Sequence, residues 1–180
     1  RQAGHSIQEA LTLLIELLCE DIPDDHFVSL LLVRFDSRTR NLTHAYAGHP
    51  AGLVMKAEGA LRADLAPTGP ALGLLPGALY GVGSTIELDE GDVIALVTDG
   101  ITEVHAPDGE LYESERVQQT VADQRGKTAR GIVDALYDSA NLFAAGQETD
   151  DDLTLLVCKV MAREPIATAS ERPTQASSSV

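Results

Sequence analysis

Two groups of aspartates, each next to an apolar run, are the residues of this sequence whose types and spacing could do chemistry. Asp99 follows the apolar run 93–97 and precedes Gly100, while Asp151 lies among acids that precede the apolar run 153–161. Carboxylate oxygens are the ligands that hard divalent cations such as Mg²⁺ and Mn²⁺ prefer. Such a cation lowers the pKa of a bound water and neutralises negative charge on phosphate oxygens. The two aspartates therefore predict a metal site, provided that the fold brings them together.

Each aspartate also has a simpler interpretation. An Asp-Gly pair is common in ordinary turns, and a run of acids is common in solvated surface loops. If the two apolar runs are neighbouring antiparallel strands, the end of the first meets the start of the second, and Asp99 and Asp151 project from one edge of a sheet. Three interpretations of these aspartates therefore remain: a turn, a solvated loop and a metal site. The metal site requires that the two strands pair, which the other two do not.

The rest of the sequence predicts the strands that would position these acids. Segments rich in strand-forming residues alternate with turn residues. These segments lie at 27–35, 41–47, 53–56, 61–65, 80–88, 93–98 and 153–161. So many short strands favour two packed sheets over one flat sheet.

Helices are predicted before and after the main group of strands. Ser6 and Glu9 match a capping box, which begins an amphipathic helix that ends before Pro23. Helical spacing returns at 114–122 and at 129–143. The last helix is expected to bury Ile132, Val133, Leu136, Tyr137, Ala140 and Leu142. Strands and helices together predict an α+β fold, an antiparallel β-sandwich flanked by helices.

Length and charge bound the general class. With 180 residues, 44% of them hydrophobic, the chain is long enough for one domain, which we expect at 6–161. The segment 162–180 is rich in Ser, Thr, Pro and Ala and is expected to be a disordered tail or linker. The 28 acidic residues against 13 basic ones give a formal net charge of −15, which disfavours nucleic acid and anionic membranes as partners.

Compartment and redox state follow from what the sequence lacks. No apolar run approaches the roughly 20 residues that span a bilayer, and the start of the chain has no secretory-signal pattern, so a cytoplasmic protein is expected. Cys19 and Cys158 stand far apart in apolar segments and match no metal-binding spacing. We expect two reduced core thiols and no disulfide framework.

Five short motifs, in this order and spacing, carry a resemblance to a known family. They are Ala45-Tyr46-Ala47-Gly48-His49-Pro50, Leu72-Gly73-Leu74, Glu90-Gly91-Asp92, Thr98-Asp99-Gly100-Ile101-Thr102-Glu103 and Asp151-Asp152-Leu153-Thr154. The chain resembles the metal-dependent PPM-type serine/threonine phosphatases, the protein phosphatase 2C family, and specifically the bacterial branch that includes SpoIIE and RsbU. The resemblance runs from about Ser6 to Met161 and implies a β-sandwich flanked by helices.

The resemblance also implies roles for particular residues. Asp99 and Asp151 correspond to two metal-binding aspartates, Gly100 and Asp152 support them, and Thr154 is structural. The metal would be Mn²⁺ or Mg²⁺, in a family whose members use two. The substrate would be a phosphoprotein, an anti-anti-sigma-factor-like partner in bacterial signalling.

The chain departs from the family pattern at its start. Family members carry an upstream Gly-Asp segment and an Asp-x-Ser-Gly-His-Gly segment, which supply the carboxylate that bridges the metals, and Gly4-His5-Ser6 lacks that aspartate. We expect the chain to begin partway into the domain and to show little or no activity alone. Uncovered apolar surface then predicts self-association as a homodimer.

Two other functions are weighed against the phosphatase. A non-catalytic regulatory module would keep the fold as a protein-binding surface. A haloacid-dehalogenase-type phosphohydrolase would need an Asp-x-Asp motif after its first strand, and none follows Phe35.

Overall fold

A computed structural model describes residues 6–23, 26–48, 51–75, 78–147, 149 and 151–162. Its four helices are α1 (Ile7–Asp21), α2 (Asp99–Thr102), α3 (Glu113–Gln124) and α4 (Ala129–Ala144). Its seven strands are β1 (Leu30–Asp36), β2 (Asn41–Ala47), β3 (Ala51–Met55), β4 (Leu61–Asp64), β5 (Ile86–Glu87), β6 (Val93–Val97) and β7 (Leu155–Lys159). The predicted α+β class is confirmed.

The strands form two antiparallel sheets, one with the order β1-β2-β5 and one with the order β4-β3-β6-β7. Strand β6 contributes to two separate clusters of the hydrophobic core, because its successive side chains alternate between the two faces of its sheet. Ile94 belongs to the cluster between the sheets, with Leu42 and Leu65. Val93 and Val97 belong to the cluster beneath α3 and α4. The predicted sandwich flanked by helices is therefore observed, and α1 packs on β1 and β2.

Local signals set the helix ends. The Ser6 backbone N–H donates to Glu9 Oε2 over 2.7 Å and the Glu9 N–H donates to Ser6 Oγ over 3.1 Å, so the predicted capping box is formed. The Thr128 Oγ1 accepts from the Gly131 N–H at the start of α4. Ala145 ends α4 in the left-handed conformation, with φ of 50°.

Several predictions of burial or secondary structure were wrong. Leu142 is 83% exposed and Tyr137 is 38% exposed, because α4 buries a strict i, i+4 stripe that skips both. That stripe consists of Ile132, Leu136, Ala140 and Ala144. Cys158 is exposed, since β7 is an edge strand. Of the strand predicted at 80–88, only β5 forms; Tyr80 instead packs beside α1.

Several predictions concern residues that lie outside the described part of the chain, and one concerns a leucine that is exposed. His49, Pro50, the tail from 163 to 180 and the side chain of Cys19 lie outside the described part of the chain. Leu17, expected on the buried face of α1, is 57% exposed. Among the described residues, no helix has the length and apolarity needed to cross a membrane.

Candidate metal centre

Strand pairing brings the two aspartate groups to one edge of a sheet. Strands β6 and β7 are antiparallel neighbours in which Val97 lies opposite Leu155. The chain leaving β6 therefore meets the chain entering β7, as the spacing of the apolar runs required. Asp99 begins the short helix α2, and Asp151 lies in the segment that leads into β7.

Thr98 joins these two segments, a role that sequence reasoning missed. Its backbone N–H donates to the Thr154 carbonyl over 3.1 Å, and the Thr154 N–H donates to Thr98 Oγ1 over 3.1 Å. The Thr98 hydroxyl also donates to the carbonyl of Asp152 over 3.3 Å. A hydroxyl at the end of a buried strand was the only available signal in the sequence. Thr98 precedes α2 but makes no side-chain cap bond to it.

Gly100 is required for a different reason from the one predicted. The sequence suggested a sharp turn, but Gly100 lies within α2 and its φ is not in the left-handed region. A Cβ at this position would overlap the backbone carbonyl oxygen of Asp152. Gly100 thus lets the segment that carries Asp152 approach α2 closely, which fixes one aspartate group against the other.

The carboxylates at this edge accept hydrogen bonds from nearby backbone N–H groups. Asp99 Oδ1 accepts from the Gly100 N–H over 3.1 Å, and Asp151 Oδ1 accepts from the Asp152 N–H over 2.7 Å. Within the described ranges, no Lys, Arg or His forms an ion pair with Asp99, Asp151 or Asp152. Asp99 is half-buried, and Asp151 and Asp152 are exposed. Their remaining lone pairs are available to an external cation.

The donor set fits Mg²⁺ or Mn²⁺ in kind. It consists of carboxylate oxygens, and Mg²⁺ in proteins commonly uses one or two carboxylates with water and substrate phosphate in the other positions. The described residues contain no cluster of three or more ligating side chains. Asp99 and Asp151 would therefore hold the cation with few protein ligands.

An acidic cavity of about 580 Å³ lies beside this edge. Tyr46, Leu65 and Thr102 are buried residues of its lining, and its exposed polar residues are Asp64, Glu103, Glu113 and Ser114. Glu103 also lines a small second cavity with Gly100 and Asp151, so it connects the acidic cavity to the aspartate edge. The Glu103 side chain is exposed.

Tyr46 shows that the acidic cavity and Asp99 share one electrostatic environment. Burial, followed by the negative charges of Asp64 and Asp99, raises the pKa of Tyr46 to about 12. The phenol is therefore neutral at physiological pH. Tyr46 belongs to one of the five motifs, but its position next to an acid of another motif depends on tertiary structure.

Comparison with known proteins assigns the family. The SpoIIE family profile, described as Stage II sporulation protein E, matches residues 1–161. The chain belongs to the SpoIIE family. Over 158 residues, 88% of the chain, it is 25% identical to the phosphoserine phosphatase RsbU of Bacillus subtilis and covers 46% of that protein. It spans less than half the length of the curated relatives it matches.

Two solved structures show the shared SpoIIE-family fold. The RsbU and RsbW domains of Rv1364c from Mycobacterium tuberculosis give a TM-score of 0.71 and 27% identity, over 91% of this chain and 44% of that one. The phosphatase domain of SpoIIE from Bacillus subtilis, presoaked with Mn, gives a TM-score of 0.62 and 17% identity, over 91% and 70%. The predicted fold and the predicted family resemblance are both confirmed.

Proposed function

We propose that this SpoIIE-family protein is a metal-dependent phosphatase that removes phosphate from phosphoserine or phosphothreonine on a partner protein. The observation that carries the proposal is the meeting of Asp99 and Asp151 at one sheet edge, without a basic partner among the described residues. The similarity to a phosphoserine phosphatase supports the reaction class. A domain at 6–161, acting in the cytoplasm, is part of the proposal.

The chain's own residues would hold the reacting groups in place. A bound Mn²⁺ or Mg²⁺ would activate a water and neutralise charge on the phosphate oxygens. Asp99 and Asp151 would bind the cation through their free lone pairs. Thr98 and Gly100 would keep the two aspartate segments in register, through the bonds and the close approach described above.

We propose a sigma-factor regulatory protein as the partner. A solved relative joins an RsbU domain to an RsbW domain in one structure. An anti-anti-sigma-factor-like phosphoprotein is the corresponding substrate for this chain. The net charge of −15 suits a protein partner better than nucleic acid.

Metal binding is tested by thermal unfolding of the 180-residue chain with and without Mn²⁺. A cation at ten times its Kd adds about 1.4 kcal/mol to the free energy of unfolding, so the wild type is expected to melt at a higher temperature with Mn²⁺. Asp99→Asn and Asp151→Asn should each lose this increase. Asp138→Asn, which removes an exposed carboxylate on α4, should retain it. An equal Mn²⁺ response in all four proteins would contradict the proposal.

Activity is tested with p-nitrophenyl phosphate and Mn²⁺. The isolated chain is expected to show little turnover. It lacks the upstream aspartate that, according to the family resemblance, would bridge the two metal ions. Robust turnover that Asp99→Asn abolishes would support the phosphatase and would show that the bridging aspartate is dispensable.

A non-catalytic regulatory module is the second candidate. It is favoured by the absence of a cluster of three ligating side chains within the described residues. Such a module would bind its partner equally well with phosphate present or absent, and with Mn²⁺ or EDTA. A binding preference for the phosphorylated partner would argue against it.

A further inference from the structure

The lining of the acidic cavity is unusual in its charge. Asp64, Glu103 and Glu113 contribute three carboxylates, and no Lys, Arg or His is found among the described residues that line it. All three acids are exposed, while the residues beneath them are buried. Acids grouped in this way repel one another unless a cation lies between them.

A second feature of the cavity is an unpartnered phenol. Tyr46 is only 2% exposed and lines the cavity. Its backbone N–H and carbonyl are both bonded to Thr68, which leaves the side chain as the group available to a ligand. Within the described residues, the Tyr46 hydroxyl makes no hydrogen bond to another side chain or to the backbone. It is not among the described polar atoms that are buried without a partner, so it reaches the cavity, where a polar ligand can contact it.

The nature of that ligand follows from the charge and size of the site. Anions are excluded by the three carboxylates. A single metal ion is a poor fit, because the cavity of about 580 Å³ is far larger than one ion. A guanidinium or ammonium group on a flexible stem suits both properties, since its several N–H donors can reach separate carboxylates and a phenolic oxygen.

We propose that the acidic cavity binds an Arg or Lys side chain of the phosphoprotein substrate. Asp64 and Glu113 pair with the charged group, and the Tyr46 oxygen accepts a hydrogen bond from it. Glu103 connects the cavity to the edge that carries Asp151, so the basic residue lies near the phosphorylated residue in the substrate. The inference rests on the proposed phosphatase function and adds a sequence preference to it.

The test measures binding of fluorescein-labelled peptides to the full chain in the presence of Mn²⁺, by fluorescence anisotropy. In each phosphoserine peptide a single Arg occupies one flanking position, and a matched peptide carries citrulline there. Citrulline has nearly the same shape as Arg but no charge. At the preferred position, Arg is expected to improve affinity by about five- to tenfold, which corresponds to two partly exposed ion pairs.

Two double variants with the same change of net charge separate the cavity from the general acidity of the surface. Asp64→Asn/Glu113→Gln should abolish the preference for Arg over citrulline. Glu115→Gln/Asp138→Asn, which removes two exposed carboxylates outside the cavity, should preserve it. Equal binding of Arg and citrulline peptides, or an equal loss in both double variants, would overturn the proposal.

The same peptides without phosphate separate this inference from the proposed function. If Arg is preferred but phosphate makes no difference, the cavity proposal stands and the phosphatase proposal fails. If phosphate is preferred but Arg and citrulline bind equally, the phosphatase stands and the cavity proposal fails. Tyr46→Phe gives an independent check, because it removes only the phenolic oxygen and should reduce the Arg preference in part.

Discussion

The two ends of strand β6 each carry aspartates, but only one end has a basic partner among the described residues. At the start of β6, Asp92 is completely buried and its Oδ2 lies 2.7 Å from Arg62 Nε. Asp92 Oδ2 also accepts from the Asp89 N–H over 2.9 Å. At the other end, Asp99 and Asp151 have only local backbone donors.

The difference shows which aspartates serve the fold and which are open to a ligand. A buried carboxylate needs a nearby cation and hydrogen bonds, and Arg62 on β4 of the same sheet supplies both to Asp92. The opposite end of β6 has carboxylates of the same kind at a similar strand boundary. Because no ion pair to these carboxylates is found among the described residues, they can contact water or an external cation.

Removing the internal cation should have the largest effect on stability. Arg62→Met leaves Asp92 buried without a counter-charge, and we expect the free energy of unfolding to fall by about 3 kcal/mol in urea denaturation. Arg130→Met is the matched control, because it breaks an exposed i, i+4 pair with Asp134 and should cost about 0.3 kcal/mol. Similar losses in both variants would mean that the Arg62 pair is no more structural than a surface pair.

Crowding the metal edge should have an intermediate effect. Gly100→Ala places a methyl group against the carbonyl of Asp152, and relieving this overlap should cost about 2 kcal/mol of stability. It should also weaken the Mn²⁺-dependent rise in melting temperature, because the segment that carries Asp151 must move. Gly126→Ala is the control, since a Cβ there meets nothing within 4 Å. A stable Gly100→Ala protein with full Mn²⁺ response would show that the close approach has no functional importance.

Local patterns explain how much of this architecture could be predicted from sequence. The capping box at Ser6 and the apolar run of β6 are each encoded by residues that lie close together in the sequence. The order of strands and helices follows from local patterns of the same kind. The meeting of Asp99 with the segment of Asp151 followed from one hypothesis of the sequence analysis, because antiparallel pairing of the two apolar runs brings the end of the first to the start of the second.

The remaining features depend on contacts between residues distant in sequence. The pairing of Arg62 with Asp92, the approach of Gly100 to Asp152 and the place of Tyr46 beside Asp64 each follow from how strands and helices are packed. No local pattern encodes them. The strand predicted at 80–88 forms only at β5, also because of contacts between residues distant in sequence. Gly83 lies against the ring of His44, and side-chain packing replaces regular strand pairing there.

The smallest effect should come from neutralising the metal edge itself. In EDTA, Asp99→Asn is expected to change the free energy of unfolding by no more than about 0.5 kcal/mol, because Asp99 has no ion pair within the described residues. Asp92→Asn, the same substitution at the other end of β6, should cost several times more, because it weakens the buried contact with Arg62. Urea denaturation of both variants measures the contrast. A loss at Asp99 as large as that at Asp92 would show that both ends of the strand serve the fold, and the carboxylates at the metal edge would no longer call for an external cation.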